Sequence, residues 1–492
     1  MSKIICESSD WSFDVLQEYD KVISRIAKEY LKLDTYPNQI EIVTSEQMLD
    51  SYSLIGLPIS YPHWKFGKDY VMNTQNYQKG RMGLAYELVI NSNPCISYNM
   101  EDNTSCLMAL VLAHAAYGHN AFFKNNYMFK EWTSADSIID YMVFARNYVL
   151  ACEEKYGAEE VEDVLDACHA LMIHGVNKYS KPTSLSVEKE QDRVSKMSEF
   201  ERENHNDLWK TIPTKETGSN KKVKKDILEE NILYFIEKNA PKLPTWKREL
   251  IRIVRKTAQY FYPQSQTKVI NEGTATFTHY LIINKLYDEG YVNDGFMLEF
   301  IKNHTAVIYQ PAYNSKYFSG INPYTLGFNI FMDIKRMCEE PTEEDRKWFP
   351  NLVGKDWLEE FHYAMENFRD DSFVLQYLSP KVMRDMRLFS ILDDSTDTHF
   401  EISSIHNDIG YKKVREVLSK QYNRNNYVPD IQVTGLDSKD RRLSLTYFMN
   451  DNRELDLESC DDTLEYIRYL WGFPVSMYIQ NTDGDRKKLM DI

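Results

Sequence analysis

Ser105-Cys-Leu-Met-Ala-Leu-Val-Leu-Ala-His-Ala-Ala-Tyr-Gly-His-Asn120 is the stretch around which the rest of the chain is read. Its apolar run, 106–116, is broken only by His114 and spans about half a membrane. Asn103, Thr104 and Ser105 offer N-caps just upstream, so a helix is expected over 107–117. Before the caps, Tyr86-Glu-Leu-Val-Ile90 and Cys95-Ile-Ser-Tyr98 flank the turn cluster Asn91-Ser-Asn-Pro94. Two apolar runs around such a cluster predict a β-hairpin feeding the helix. Further back, 39–43 reads as a short strand. Phe13, Leu16, Val22, Ile23, Ile26, Ala27 and Leu31 recur at the spacing of an amphipathic helix.

Downstream, two more helices are expected over 135–155 and 159–175. Residues 180–225 then turn rich in Lys, Glu, Ser and Asn, the composition of a mobile insertion or a loosely packed helical arm. Helical periodicity resumes at Asp226. Pro244 suits a helix start, and Pro263 is expected to stop the helix carrying Trp246, Leu250, Ile253, Val254 and Phe261. In the last hundred residues, strands are expected at 400–405, 430–433, 443–448 and 475–480. Helices are expected at 410–422 and 463–471. The order β-α-β-β-α-β is that of a ferredoxin-like unit.

The fold expected is therefore mainly α with a small β element, a zincin-like core being compatible with it, followed by an α+β ferredoxin-like C-terminal domain. The divisions read from the chain are 1–179, the polar insertion or linker 180–225, 226–392 and 393–492. At 492 residues, 43% of them hydrophobic, the chain is long enough for more than one core.

Formal charge is −16, from 58 basic and 74 acidic residues. A field of that sign repels polyanions, so no nucleic-acid partner is expected, and the 106–116 run is too short for membrane insertion to be expected. The first ten residues lack a signal-peptide pattern, and the seven cysteines form no C-x-x-C pair. A reducing, cytoplasmic setting is the expectation. The 34 tyrosines suit amphipathic packing, or alternatively a glycan or peptide groove.

The chemistry-bearing residues begin with His114 and His119, five positions apart. On an ideal α-helix that spacing turns the second imidazole about 140° from the first. A one-residue bulge, with Gly118 a plausible place, restores a common face. The spacing permits a metal site without requiring one, since histidines in apolar helices also serve as hydrogen-bonded core residues. Asn271-Glu-Gly-Thr-Ala-Thr-Phe-Thr-His279 sets Glu272 and His279 on one helical stripe, about 20° apart. Two histidines and a carboxylate from a second helix are the ligand set of a catalytic Zn²⁺ with an open position for water. The expected ligands are His114, His119 and Glu272. His279 is expected to orient substrate or steady an oxyanion. His169, His174 and Asp166, in Asp166-Ala-Cys-His-Ala-Leu-Met-Ile-His174, are expected to hold ligand imidazoles in one tautomer. The stripe Lys247, Arg248, Arg252, Arg255 and Lys256 reads as a solvated face rather than a phosphate site.

Several blocks together resemble the stage V sporulation protein R (SpoVR) family. They are His114-Ala-Ala-Tyr-Gly-His-Asn120, Phe122-Phe-Lys-Asn-Asn126, Ala258-Gln-Tyr-Phe-Tyr-Pro-Gln264 and Asn271-Glu-Gly273. Tyr309-Gln-Pro311, Gly320-Ile-Asn-Pro-Tyr324, Trp348-Phe-Pro350, Leu378-Ser-Pro-Lys381 and Trp471-Gly-Phe473 extend the likeness over nearly the whole chain. One departure stands out. The family's N-E-G-W-A-T-F-W-H carries threonine here at both tryptophan positions, Thr274 and Thr278, which leaves Glu272 and His279 in place but removes two aromatic surfaces.

The resemblance implies a link to the spore cortex, hence to peptidoglycan, in a family that also occurs in bacteria that make no spores. A strand followed by the His114 helix, with Glu272 on a later one, is also similar to the zincin metallopeptidases. Dipeptidyl peptidase III has H-E-x-x-x-H at the same gap, but Ala115 stands here where its glutamate base would be. Two functions follow: a metal-dependent hydrolase of peptide or amide bonds, or a non-catalytic regulator binding protein partners in the cell-wall machinery.

Overall fold

The computed structural model describes residues 4–54, 56–57, 59–79, 87–179, 181–182, 185–205, 228–389, 391–392, 401–402, 407–423, 426–449 and 453–492. The chain forms two compact units, each gathered from separated segments. One takes Met1–Pro58, Gly67–Glu131 and Pro263–Arg424; the other takes Ile59–Phe66, Trp132–Tyr262 and Asn425–Ile492.

In the first unit the hairpin forms where turn chemistry and alternating apolar residues place it. Strands β1 (Asn38–Val43), β2 (Glu87–Ile90) and β3 (Cys95–Met100) make a sheet in the order β1-β3-β2. β3 runs parallel to β1, with Val43 opposite Met100, and antiparallel to β2, with Glu87 opposite Asn99. β2 is thus an edge strand, and Glu87 is its first residue.

From β3 the chain turns into the quoted stretch. Thr104 caps it, its side chain accepting from the Leu107 N–H at 3.2 Å. The helix is regular over Ser105–Val111, widens to π-helical bonding over Leu112–His119 and tightens again over Asn120–Asn125. Ser105–Asn125 is long and apolar enough to cross a membrane by length and composition, yet 94% of its most apolar window is buried within the protein.

Two close backbone approaches fix this segment against its neighbours. A Cβ added at Gly118 would lie 2.6 Å from Cα of Ala275 in the Lys268–Asp288 helix. On that helix Gly273 meets Gly327 of the Pro323–Glu339 helix, where an added Cβ would again be 2.6 Å from a backbone Cα. Phe277, Phe331 and Phe361 close the core beside these contacts, with ring centroids 5.1–5.8 Å apart. Each is fully buried, and such a side chain stabilises the fold by about 1.5–3 kcal/mol. Asp370 sits at the start of the Lys268–Asp288 helix and accepts the Ile270 N–H at 2.9 Å. Burial, opposed by those backbone N–H groups, lifts its carboxyl to about 7.

Pro263 does not end its helix. The helix runs over Thr245–Gln266 with Pro263 inside it, and the break comes at Thr267, whose hydroxyl donates to the Pro263 carbonyl at 2.8 Å.

In the second unit the residues read as a polar insertion include a helix, Val187–His205; 206–227 lie outside the described residues. Glu190 anchors it, accepting from Arg252 Nε at 2.6 Å, while Arg252 also reaches Glu237 and Arg255 Nε donates to Glu237 at 3.0 Å. Arg255 and Glu237 are each 5% exposed. The solvated-face reading of this stripe is therefore corrected: an amphipathic pattern marks a polar side but does not tell water from a carboxylate partner.

The C-terminal fold is α+β, with a strand order other than ferredoxin-like. Among the described residues β4 (Ile391–Leu392) and β5 (Glu401–Ile402) pair with each other and with no other strand, and the helix Asp408–Tyr422 belongs to the first unit. The rest of the expected 400–405 strand, 400 and 403–405, lies outside the described residues. The second unit's sheet is β6 (Asp430–Leu436), β7 (Leu443–Phe448), β8 (Val475–Gln480) and β9 (Arg486–Asp491), in that order. β7 and β8 are parallel, joined across the helix Leu457–Trp471; the outer pairs are antiparallel. β9, Arg-Lys-Lys-Leu-Met-Asp, shows no apolar alternation because it is a charged edge strand, a common guard against edge pairing.

Candidate metal centre

The π-helical bonding resolves the spacing of the two histidines. With i→i+5 hydrogen bonds the turn widens beyond the 3.6 residues of an α-helix, which turns His114 and His119 toward one side. Their rings lie 4.7 Å apart between centroids, almost perpendicular. Gly118 lets this turn approach the Lys268–Asp288 helix, which brings in Glu272. Its Oε2 is 3.8 Å from Nε2 of His114 and 3.5 Å from Nε2 of His119. The three donor atoms lie within 4.8 Å of one another.

Tetrahedral Zn²⁺ with bonds near 2.0–2.2 Å sets its ligand atoms about 3.3–3.6 Å apart. The Glu272 distances lie close to that spacing and too long for hydrogen bonds. Among the described residues, His114 Nε2 and Glu272 Oε2 are buried without a hydrogen-bond partner. Buried orphans of this kind are rare in proteins, and a cation between them satisfies both.

The supporting contacts hold both imidazoles in the tautomer a metal requires. His119 Nδ1 meets Asn271 Oδ1 at 2.9 Å; donation to that carbonyl leaves the Nε2 lone pair facing Glu272. His114 Nδ1 meets His279 Nδ1 at 2.9 Å, and His279 Nε2 meets His304 Nδ1 at 2.8 Å. Read outward from a free His114 Nε2, each ring donates to the next. Burial lowers His119 and His304 to about 4, and His279 well below its ordinary value, so all three are neutral at pH 7. Burial alone would raise Glu272. The Tyr324 hydroxyl, donating to the carboxylate, opposes it.

His279 is thus not in a position to meet substrate. It is fully buried behind His114 and acts on that ring's Nδ1. Asp166, His169 and His174 fall in the second unit. There Asp166 accepts from His63 Nε2 at 3.0 Å and from Trp64 Nε1 at 2.8 Å, and His169 Nε2 meets the Tyr61 hydroxyl at 2.7 Å. His174 is buried, which lowers it to about 4. None of the three has His114 or His119 as a partner among the described residues. A repeated four-residue gap between histidines carries no information about where the second pair packs.

Four contributors were not assigned from sequence: Asn271, His304, Tyr324 and Glu87. Asn271 and Tyr324 lie in blocks already noted, without a sign of their direction. Glu87 lies in the strand-like run 86–90, which carried no sign of a role for it. Its Oε1 is 3.7 Å from His114 Nε2, and burial, opposed by His114 and reinforced by Glu272, raises its carboxyl.

Comparison with known proteins gives the class. The family described as SpoVR like protein matches residues 10–427, and the SpoVR-like C-terminal domain matches 429–482. The chain belongs to the SpoVR family. It is 53% identical over 484 residues to the Uncharacterized protein YcgB of Escherichia coli (strain K12), covering 98% of this chain and 94% of that protein. No solved structure matches.

Proposed function

We propose that this SpoVR-family chain is a metal-dependent hydrolase of peptide or amide bonds, with His114, His119 and Glu272 holding Zn²⁺. The observation carrying this reading is the convergence of three donor atoms from the π-helical turn and the Lys268–Asp288 helix, two of them buried and without a partner among the described residues. When bound, Zn²⁺ supplies Lewis acidity and a nucleophilic water near neutral pH. Asn271 and His279 orient the two ligand rings, and Tyr324 flanks the carboxylate. The side chains of Glu87 and Glu272 keep 18% and 16% exposure against 3% for His114, so solvent meets the site from the carboxylate side. The family's link to the spore cortex, and its presence in bacteria without spores, make peptidoglycan stem peptides the proposed substrate class. Seven free thiols support a cytoplasmic setting, where the substrates are precursors or recycled fragments.

Metal analysis of the purified full-length chain tests the centre. One ion per chain, lost in both His114→Ala and Glu272→Ala with folding retained, is the expected result. Ala115 favours a second reading, a regulator that binds cell-wall proteins, because the helix lacks the usual base. A folded wild-type chain that takes up no metal leaves that reading alone.

A further inference from the structure

We infer that Glu87, reaching the centre from the edge strand β2, is the carboxylate that accepts the proton of the attacking water. This rests on the metal centre proposed above and supplies the group that Ala115 denies to the helix.

Glu87 stands differently from Glu272. Among the described residues, Glu272 pairs with both imidazoles, whereas Glu87 pairs with His114 alone, at 3.7 Å. It therefore lies to one side of the three donors rather than among them. Neither carboxylate has a lysine or arginine partner among the described residues. The base is thus not neutralised by an ion pair, and it keeps lone pairs for a water at the open position. Its placement is set by backbone. Glu87 opens β2 opposite Asn99, and that register ties it to β3, the strand that leads through Thr104 into the His114 helix. The base and the two histidines are thus held by one strand-helix unit, while Glu272 comes from the Lys268–Asp288 helix.

The step balances without a further reagent. An oxygen lone pair of water forms a bond to the amide carbon while the C=O π pair moves onto the carbonyl oxygen and one water proton moves to a Glu87 oxygen. The oxygen pair then re-forms the C=O bond as the C–N bond breaks, the C–N electron pair stays on nitrogen, and Glu87 returns the proton to that nitrogen. The second water hydrogen remains with the new carboxyl group.

The test needs no natural substrate. Acetohydroxamate binds an open metal position and donates its hydroxyl proton to a neighbouring carboxylate, a charge-assisted contact. Zn²⁺ affinity of the full-length chain is measured against a chromophoric chelator, and acetohydroxamate binding is read from the absorption of the Co²⁺-loaded chain. For Glu87→Gln and Glu87→Asp, Zn²⁺ affinity stays within about threefold of wild type, while Glu272→Gln loses about tenfold or more. Acetohydroxamate binding weakens about tenfold or more in both Glu87 variants, the value of one charged hydrogen bond. Comparable loss of Zn²⁺ in either folded Glu87 variant makes Glu87 a ligand and overturns the proposal. So does unchanged acetohydroxamate binding, or a wild-type Co²⁺ spectrum that ignores acetohydroxamate. If the wild type itself binds no metal and matches Glu272→Gln, the metal centre has failed and the proton acceptor falls with it.

Discussion

Gly118 and Ala275 approach so closely that a Cβ on the glycine would lie 2.6 Å from the alanine Cα. This contact brings the histidine turn against the helix of Glu272. Gly118→Ala is expected to force the helices apart and destabilise the fold by about 1–3 kcal/mol. Zn²⁺ affinity should fall with it. Gly67, in a helix with nothing within 4 Å of its added Cβ, is the control; Gly67→Ala should be neutral or stabilising by up to about 1 kcal/mol. Denaturant unfolding of both variants without metal checks the pair.

Asn271→Ala removes the acceptor for His119 Nδ1 while leaving all three ligands. Zn²⁺ affinity should drop about 10–100-fold with near-normal folding. Asn271→Asp, which keeps an acceptor oxygen, should recover most of it. Chelator competition measures both, and equal affinity in all three proteins contradicts the assigned tautomer.

Asp370 makes stability depend on pH. Its carboxyl sits at about 7 in the fold against an ordinary 3.8 unfolded, so between those values the folded state holds a proton that the unfolded state has released. The stability associated with the protonated group is complete below 3.8, and it declines as pH rises through 7. Asp370→Asn, which keeps an oxygen for the Ile270 N–H, should flatten that decline, worth on the order of a few kcal/mol. Urea unfolding in chelator at pH 5.5 and 8.5 compares them; parallel profiles count against it.

Thr274, Thr276 and Thr278 are fully buried, and among the described residues their hydroxyls lack partners. Thr278→Val keeps the shape and removes an unsatisfied polar group. A gain of about 1 kcal/mol is expected in thermal or denaturant unfolding. A loss would mean that the hydroxyl is satisfied, for instance by a buried water.

Much of the scaffold was legible in the residues. Asn91-Ser-Asn-Pro94 between two apolar runs set the hairpin, and 443–448 and 475–480 came out as strands with the bounds observed. Local patterning suffices there because one face is buried and the turn chemistry is local. The ligand trio was legible as residue types on two helices, although a five-residue gap required a distortion that the π-helical turn now supplies. It lies over 112–119 and includes Gly118, which also permits the contact with Ala275. The roles of the surrounding histidines and acids were not legible. His279 turned inward, Asp166 and His169 met His63 and Tyr61, and Glu87 came from a strand.

The sequence by itself determined the family, the α and β elements and which side chains carry lone pairs. Spacing along one chain is a short-range quantity, and it fixes only what lies within a few turns. Tertiary structure decided which of those lone pairs meet. The meeting depends on backbone approach at Gly118 and Gly273 and on the register of β2, contacts between residues more than a hundred positions apart in the first case.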